Sequence, residues 1–270
     1  MAVFVSLRDA VAATVRDGDA VALEGFTHLI PFAVGQEIIR QGRRDLTLIR
    51  MTPDLIFDQM IGMGCAARLV FSWGGNPGVG SLHRMRDAVL NGWPRPLELI
   101  EHSHAAIANA YAAGAAGLPF AVFRGYIGTD LPRVNASIRQ VECPYTGERL
   151  ATVPSLRPDV GVIHAQRADR AGNVLIEGIV GCQKEVVLAS TRSLVTVEEV
   201  VDELAPPSMN SVVLPGWTID AISVVPRGAW PSYVHGYYQR DNAFYLEWDE
   251  ISRDRDQFQN WMSQHLGTSK

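Results

Sequence analysis

Cysteine is scarce in this chain. Only Cys65, Cys143 and Cys182 occur among 270 residues. An odd number at wide spacing argues against a disulfide framework and matches no metal-ligand pattern. Reduced thiols and a cytoplasmic location are the expectation. No run of about 18 apolar residues is present, so no membrane-spanning helix is expected. The opening residues, MAVFVSLRDAVAATVRDGDAVALEG, lack the basic-then-apolar order of a signal peptide. Positive charge is not in excess either: 24 Lys and Arg stand against 29 Asp and Glu, a formal charge of −5. Without a basic face, nucleic acid is not expected as a partner. Familiar catalytic signatures are missing too. The glycine-rich stretch 74–80 lacks the Gly-Lys-Ser/Thr ending of a phosphate loop and the spacing of a dinucleotide fingerprint. There is no Gly-x-Ser-x-Gly elbow and no Cys–His nucleophile pair.

What is present is alternation. Residues 6–16 have helical apolar spacing behind Ser6, and 20–23 form a short apolar strand. The pattern repeats as helices at 31–41, 53–62, 81–91 and 104–115, with strands at 46–50, 68–73 and 97–101. Alternating strands and helices predict an α/β fold, an open and mostly parallel sheet with helices on both faces. Residues 123–158 are rich in Gly, Pro and Arg, and read as a long active-site loop or a small β insertion. Strands are expected again at 160–164, 186–189 and 194–197, with a short helical piece at 200–204. The final segment, about 226–270, clusters Trp230, Tyr233, Tyr237, Tyr238, Phe244, Tyr245 and Trp248, with a polar helix at 247–265. An aromatic-rich tail of this kind is expected to pack on a partner subunit. No linker divides the chain, so residues 1–270 read as one domain carrying that tail.

In a parallel sheet, ligands bind in the loops beyond the strand ends. Three such loops carry candidate chemistry. In 24–31, EGFTHLIP, Gly25 permits close backbone approach, and the amides of Gly25, Phe26, Thr27 and His28 precede a helix, where negative charge is held. The plain alternative is a strand-to-helix turn. In 72–80, SWGGNPGVG, residues Trp73, Gly74, Gly75 and Asn76 allow close contact with a ligand; the alternative is a flexible surface turn. In 101–104, EHSH, Glu101 ends an apolar strand, as a general base or as a helix cap. Arg124, flanked by Gly125, suits a carboxylate or phosphate, or a structural salt bridge. His164, Asp169, Gly172 and Asn173 read as turn chemistry.

Several of these segments resemble one family. EGFTHLIP, RGYIGTDLP, PDVGVIHAQRADRAGNV and STRSLVTVEEVV are similar to the α subunits of the class I CoA-transferases over roughly residues 4–225. SWGGNPGVGSLHR and IEHSH further resemble the α subunits of steroid ring-cleaving CoA hydrolases of bacterial cholesterol catabolism. The resemblance implies an α–β heterodimer pairing into a heterotetramer, a CoA-thioester substrate, and no metal or redox cofactor. Classical transferases carry a nucleophilic Glu on the β subunit. The hydrolases are thought to use a Glu on the α subunit, which here is Glu101. The expected function is therefore retro-Claisen opening of a steroid-derived ring, with Glu101 as base. The Gly25 and Gly74-Gly75 amides would hold oxyanions, and Phe26, Trp73 and Phe123 would form apolar walls. The alternatives are an α subunit of a true CoA-transferase for a dicarboxylic or 3-oxo acid, and a scaffold subunit completing a partner's site.

Overall fold

The computed structural model describes residues 2–267. The chain opens with β1 (Val3–Phe4) and α1 (Leu7–Thr14), whose Ser6 hydroxyl accepts from the Asp9 amide as a helix cap. Three strand–helix units follow: β2 (Ala20–Glu24) and α2 (Phe32–Arg40), β3 (Leu46–Ile49) and α3 (Leu55–Gly62), β4 (Ala66–Phe71) and α4 (His83–Asn91). Next come β5 (Glu98–Glu101), α5 (His104–Ala115), β6 (Phe120–Phe123), α6 (Leu131–Val134), β7 (Arg139–Glu142) and β8 (Arg149–Pro154). The last third holds β9 (Val160–Asp169), β10 (Val174–Glu177), α7 (Gln183–Ala189), β11 (Arg192–Val201), β12 (Ser211–Leu214), β13 (Ala221–Val224), α8 (Asn242–Arg253) and α9 (Arg255–Leu266).

The main sheet runs β1-β13-β11-β9-β2-β3-β4-β5, parallel along that path, with antiparallel β10 and β12 branching from β9. The mostly parallel sheet expected from the alternation is therefore present. Successive side chains of a strand face opposite ways. Val21 and Leu23 of β2 accordingly enter one apolar cluster with α1–α3 and α8–α9, whereas Ala22 enters another with Ile107 of α5 and Val186 of α7. Helices thus cover both faces. No helix among the described residues is long and apolar enough to cross a membrane.

Three expectations are corrected. Residues 186–189 belong to helix α7, not to a strand. A short apolar run is ambiguous by itself, and the parallel neighbours β9 and β11 require a crossover between them, which α7 supplies. Residues 200–204 are not helical: β11 continues to Val201, which pairs with Asp169. Part of the aromatic tail belongs to the chain's own core. Trp248, Tyr245 and Phe244 are buried in the main core, and none of the seven aromatics is exposed. Stretch 123–158 contributes to the small β insertion, an antiparallel sheet ordered β6-β8-β7.

Candidate active site

The sheet advances from β2 to β5 in one direction and from β9 to β13 in the other, so β2 and β9 flank a topological switch point. Ligands of such sheets sit beyond the carboxyl ends of strands at that point. On the β2 side of that point, the segments leaving β2, β3 and β4 converge on a cavity of about 160 Å³, lined by Phe26, Thr27, Arg50, Asp54, Trp73 and Arg240, among others.

The β2 segment turns sharply. A methyl group on Gly25 would come within 2.4 Å of the Leu29 carbonyl oxygen, so only glycine fits. Thr27 and Leu29 both take positive φ, 62° and 54°, a backbone strain that proteins concentrate at ligand sites. The turn is pinned by Arg50 Nη2, which donates to the Gly25 carbonyl (2.9 Å), and by the Leu29 amide, which donates to the Tyr233 carbonyl (3.1 Å). Among the described residues, the amides of Phe26 and Thr27 donate to no protein group. They remain open beside the cavity.

Beneath this turn lies a buried ionic cluster. Arg50 and Asp54 are each only 1% exposed, with Arg50 Nη1 3.6 Å from Asp54 Oδ1. Glu24 accepts from the Met51 amide (2.8 Å) and the Tyr111 hydroxyl (3.2 Å). Burial pushes the Glu24 carboxyl up to about 7, against the attraction of Arg50. Burial likewise raises Asp54, again opposed by Arg50. Arg240 reaches in from beyond β13, stacks over the Tyr245 ring at 3.8 Å and donates to the Pro77 carbonyl. Sequence reasoning missed Arg50, Asp54 and Arg240. A usable signal existed for the first, a charged residue directly after the apolar strand 46–49; Arg240 had none.

The residues singled out in the sequence fall into two groups. Phe26, Thr27 and Trp73 line the cavity, with Gly25 forming the turn behind it. The others face different tasks. His28 is buried, stacked on Tyr233, and its Nε2 lies 2.7 Å from the Ile179 carbonyl; burial lowers its pKa, so it is neutral at pH 7. The Gly75 amide donates to Pro53 and the Asn76 amide to Gly80, so neither is free for an oxyanion. Gly74 lies against Met85, and the Asn76 side chain donates to the Tyr245 carbonyl (2.7 Å), locking the loop to α8. Glu101 ends β5, the last strand of the sheet on that side, with its side chain exposed. Its backbone carbonyl accepts from Asn135 Nδ2 (2.8 Å). Arg124 is exposed and paired bidentately with Glu148, the salt-bridge alternative. Phe123 packs edge-on to Tyr126 within the small sheet's core rather than walling the cavity. His164 is buried between Thr196 and Glu198, and Asp169 accepts from the Asn173 amide in the β9–β10 turn.

Comparison with known proteins bears on the chemistry. The coenzyme A transferase family model matches residues 4–224. One of the subunits of 3-oxoadipate CoA-transferase from Pseudomonas knackmussii is 63% identical over 270 residues, covering 100% of this chain and 95% of that protein. The crystal structure of glutaconate CoA-transferase from Acidaminococcus fermentans superposes with a TM-score of 0.91 at 29% identity, over 97% of this chain and 88% of that one. By contrast, the cholesterol ring-cleaving hydrolase IpdA subunit of Rhodococcus jostii is 27% identical over 168 residues, 58% of this chain and 57% of that protein. These findings overturn the expectation of a steroid ring-opening hydrolase. The SWGGNPGVGSLHR segment that suggested it has a packing role: Asn76 fastens it to α8, and His83 Nε2 lies 2.9 Å from Asp249 Oδ1 of the same helix.

Proposed function

The chain belongs to the coenzyme A transferase family, and on that footing we propose that it is the α subunit of a two-subunit enzyme moving CoA between carboxylic acids, with a dicarboxylic 3-oxo acid such as 3-oxoadipate as acceptor. The observation that carries this reading is the 63% identity, end to end, to a 3-oxoadipate CoA-transferase subunit. The geometry is compatible with it. The amides of Phe26 and Thr27, which have no protein acceptor, are the donors this reading assigns to a thioester oxyanion, each worth on the order of 3 kcal/mol in such a role. Trp73, 47% exposed at the cavity mouth, offers an apolar wall to the acyl chain. Glu101 ends the edge strand β5, paired with Phe71, and is not among the residues that line this cavity. The partner is a β subunit carrying the nucleophilic carboxylate, with a CoA thioester as substrate and the cytoplasm as the working compartment.

The test is to co-express this chain with its β partner and incubate the complex with an acyl-CoA donor and 3-oxoadipate, following thioesters by mass spectrometry. Stoichiometric appearance of 3-oxoadipyl-CoA as the donor is consumed is the expected result. Donor loss to water, indifferent to the acceptor, would overturn the reading.

A further inference from the structure

The cavity beside Phe26 and Trp73 contains more positive charge than its own carboxylates balance. Two guanidinium groups, Arg50 and Arg240, line it against one carboxylate, Asp54. Their hydrogen-bonding capacity is also underused. Arg50 is 1% exposed, and its Nε and Nη1 atoms have no hydrogen-bond partner; Arg240 Nε is buried and equally unmatched. A fully desolvated guanidinium with open N–H groups is costly unless something accepts from it. Asp54 does not fill the role, since its nearest oxygen stands 3.6 Å from Arg50 Nη1 and both its oxygens are themselves unbonded. Glu24 behind Arg50 is already engaged by Met51 and Tyr111.

We propose that this cavity is a carboxylate subsite, in which Arg50 and Arg240 grip the carboxylate of the acyl group remote from the reacting end. The proposal rests on the CoA-transferase reading and adds the residues that would select dicarboxylic over monocarboxylic acids. Three features fit. The planar guanidinium fork matches a carboxylate bidentately. The volume, about 160 Å³, accepts a carboxymethyl end but not an adenine nucleotide. Part of the lining is apolar, with Phe26 and the exposed Trp73 beside the buried Tyr245 ring, as the methylene part of such an acid requires. Burial raises both the Glu24 and the Asp54 carboxyls, against the attraction of Arg50.

Arg240 is the residue to change, because it is only half-buried, whereas Arg50 holds the Gly25 turn. The two-subunit complex carrying Arg240→Met is assayed with 3-oxoadipate and with 3-oxohexanoate, the same chain lacking the second carboxylate. The kcat/KM ratio between the two acids is expected to fall by about 10- to 100-fold, the worth of one charge-assisted contact. Arg240→Lys, which keeps the charge but not the fork, is a second variant read the same way; it is expected to lower the ratio less. An independent arm measures binding of adipate and hexanoate to the complex by calorimetry. Wild type should bind adipate more tightly, and the variants should lose that difference. A parallel fall for both acids, an unchanged ratio, or loss of affinity for free CoA instead of adipate would each overturn the subsite. The two readings separate cleanly. If wild type discriminates adipate through Arg240 yet transfers no CoA, the subsite stands and the transferase reading falls. If it transfers CoA with no preference that Arg240 controls, the reverse holds.

Discussion

Glu24 shows how a single residue couples site and stability. It sits at the end of β2, 3% exposed, with its ionised form disfavoured by burial. Its carboxyl titrates at about 7 in the folded chain, compared with the ordinary value of 4.5. Between those values the folded state holds a proton that the unfolded state has released. The favourable contribution is therefore complete below about pH 4.5 and is lost as pH rises towards 7, by up to about 3 kcal/mol. Glu24→Gln, which can still accept from Met51 and Tyr111, is expected to flatten this dependence. Urea unfolding at about pH 5 and about pH 8 checks it: wild type should lose more stability than the variant across that interval. An equal loss would mean that Glu24 is not the titrating group. Glu101 offers the contrast. It was visible in the sequence as an acid at a strand end, but the strand is the exposed edge of the sheet, so the protein itself does nothing to dry its carboxylate.

At the level of elements, the α3–α4–α8 layer is organised by one buried acid. Asp58 accepts from the Met85 amide (2.9 Å), serving the first turn of α4, and from the Trp248 indole N–H (3.2 Å) of α8. Burial raises its pKa to about 6. Removing it strands two buried donors at once. Asp58→Ala is expected to cost about 2–4 kcal/mol, read as a lowered urea midpoint with an unchanged slope. A loss below about 0.5 kcal/mol would show that the acid is not what ties α8 down. Such a tie could not be read from composition, because Asp58 and Trp248 are 190 residues apart. The elements themselves were largely legible: the helices at 31–41, 53–62, 81–91 and 104–115 correspond to α2–α5 to within a few residues at each end. At 186–189, where a helix replaces the expected strand, the apolar run is too short for its period to distinguish the two.

For the molecule as a whole, the cavity is assembled from the ends of β2, β3 and β4 and from Arg240 and Tyr245, far along the chain. On the proposed function, the nucleophile is on another subunit. This chain alone is therefore expected to transfer no CoA, with activity returning when the separately purified β chain is added. Size-exclusion chromatography of the mixture, with transfer assayed across the peak, checks this; turnover by the isolated chain would contradict it. The sequence by itself determined the α/β class, the parallel sheet, the family resemblance and the turn at Gly25, because these depend on local periodicity and on short contiguous motifs. The same local motifs pointed too far towards ring-cleaving hydrolases, through a loop whose residues serve packing against α8. Only the tertiary structure decided that Arg50, Asp54 and Arg240 share one cavity, that the Gly75 and Asn76 amides are already used, and that the aromatic tail completes the chain's own core. Each of these is a contact between segments distant in sequence, and such contacts are set by how the whole sheet packs against its helices, which no local pattern encodes.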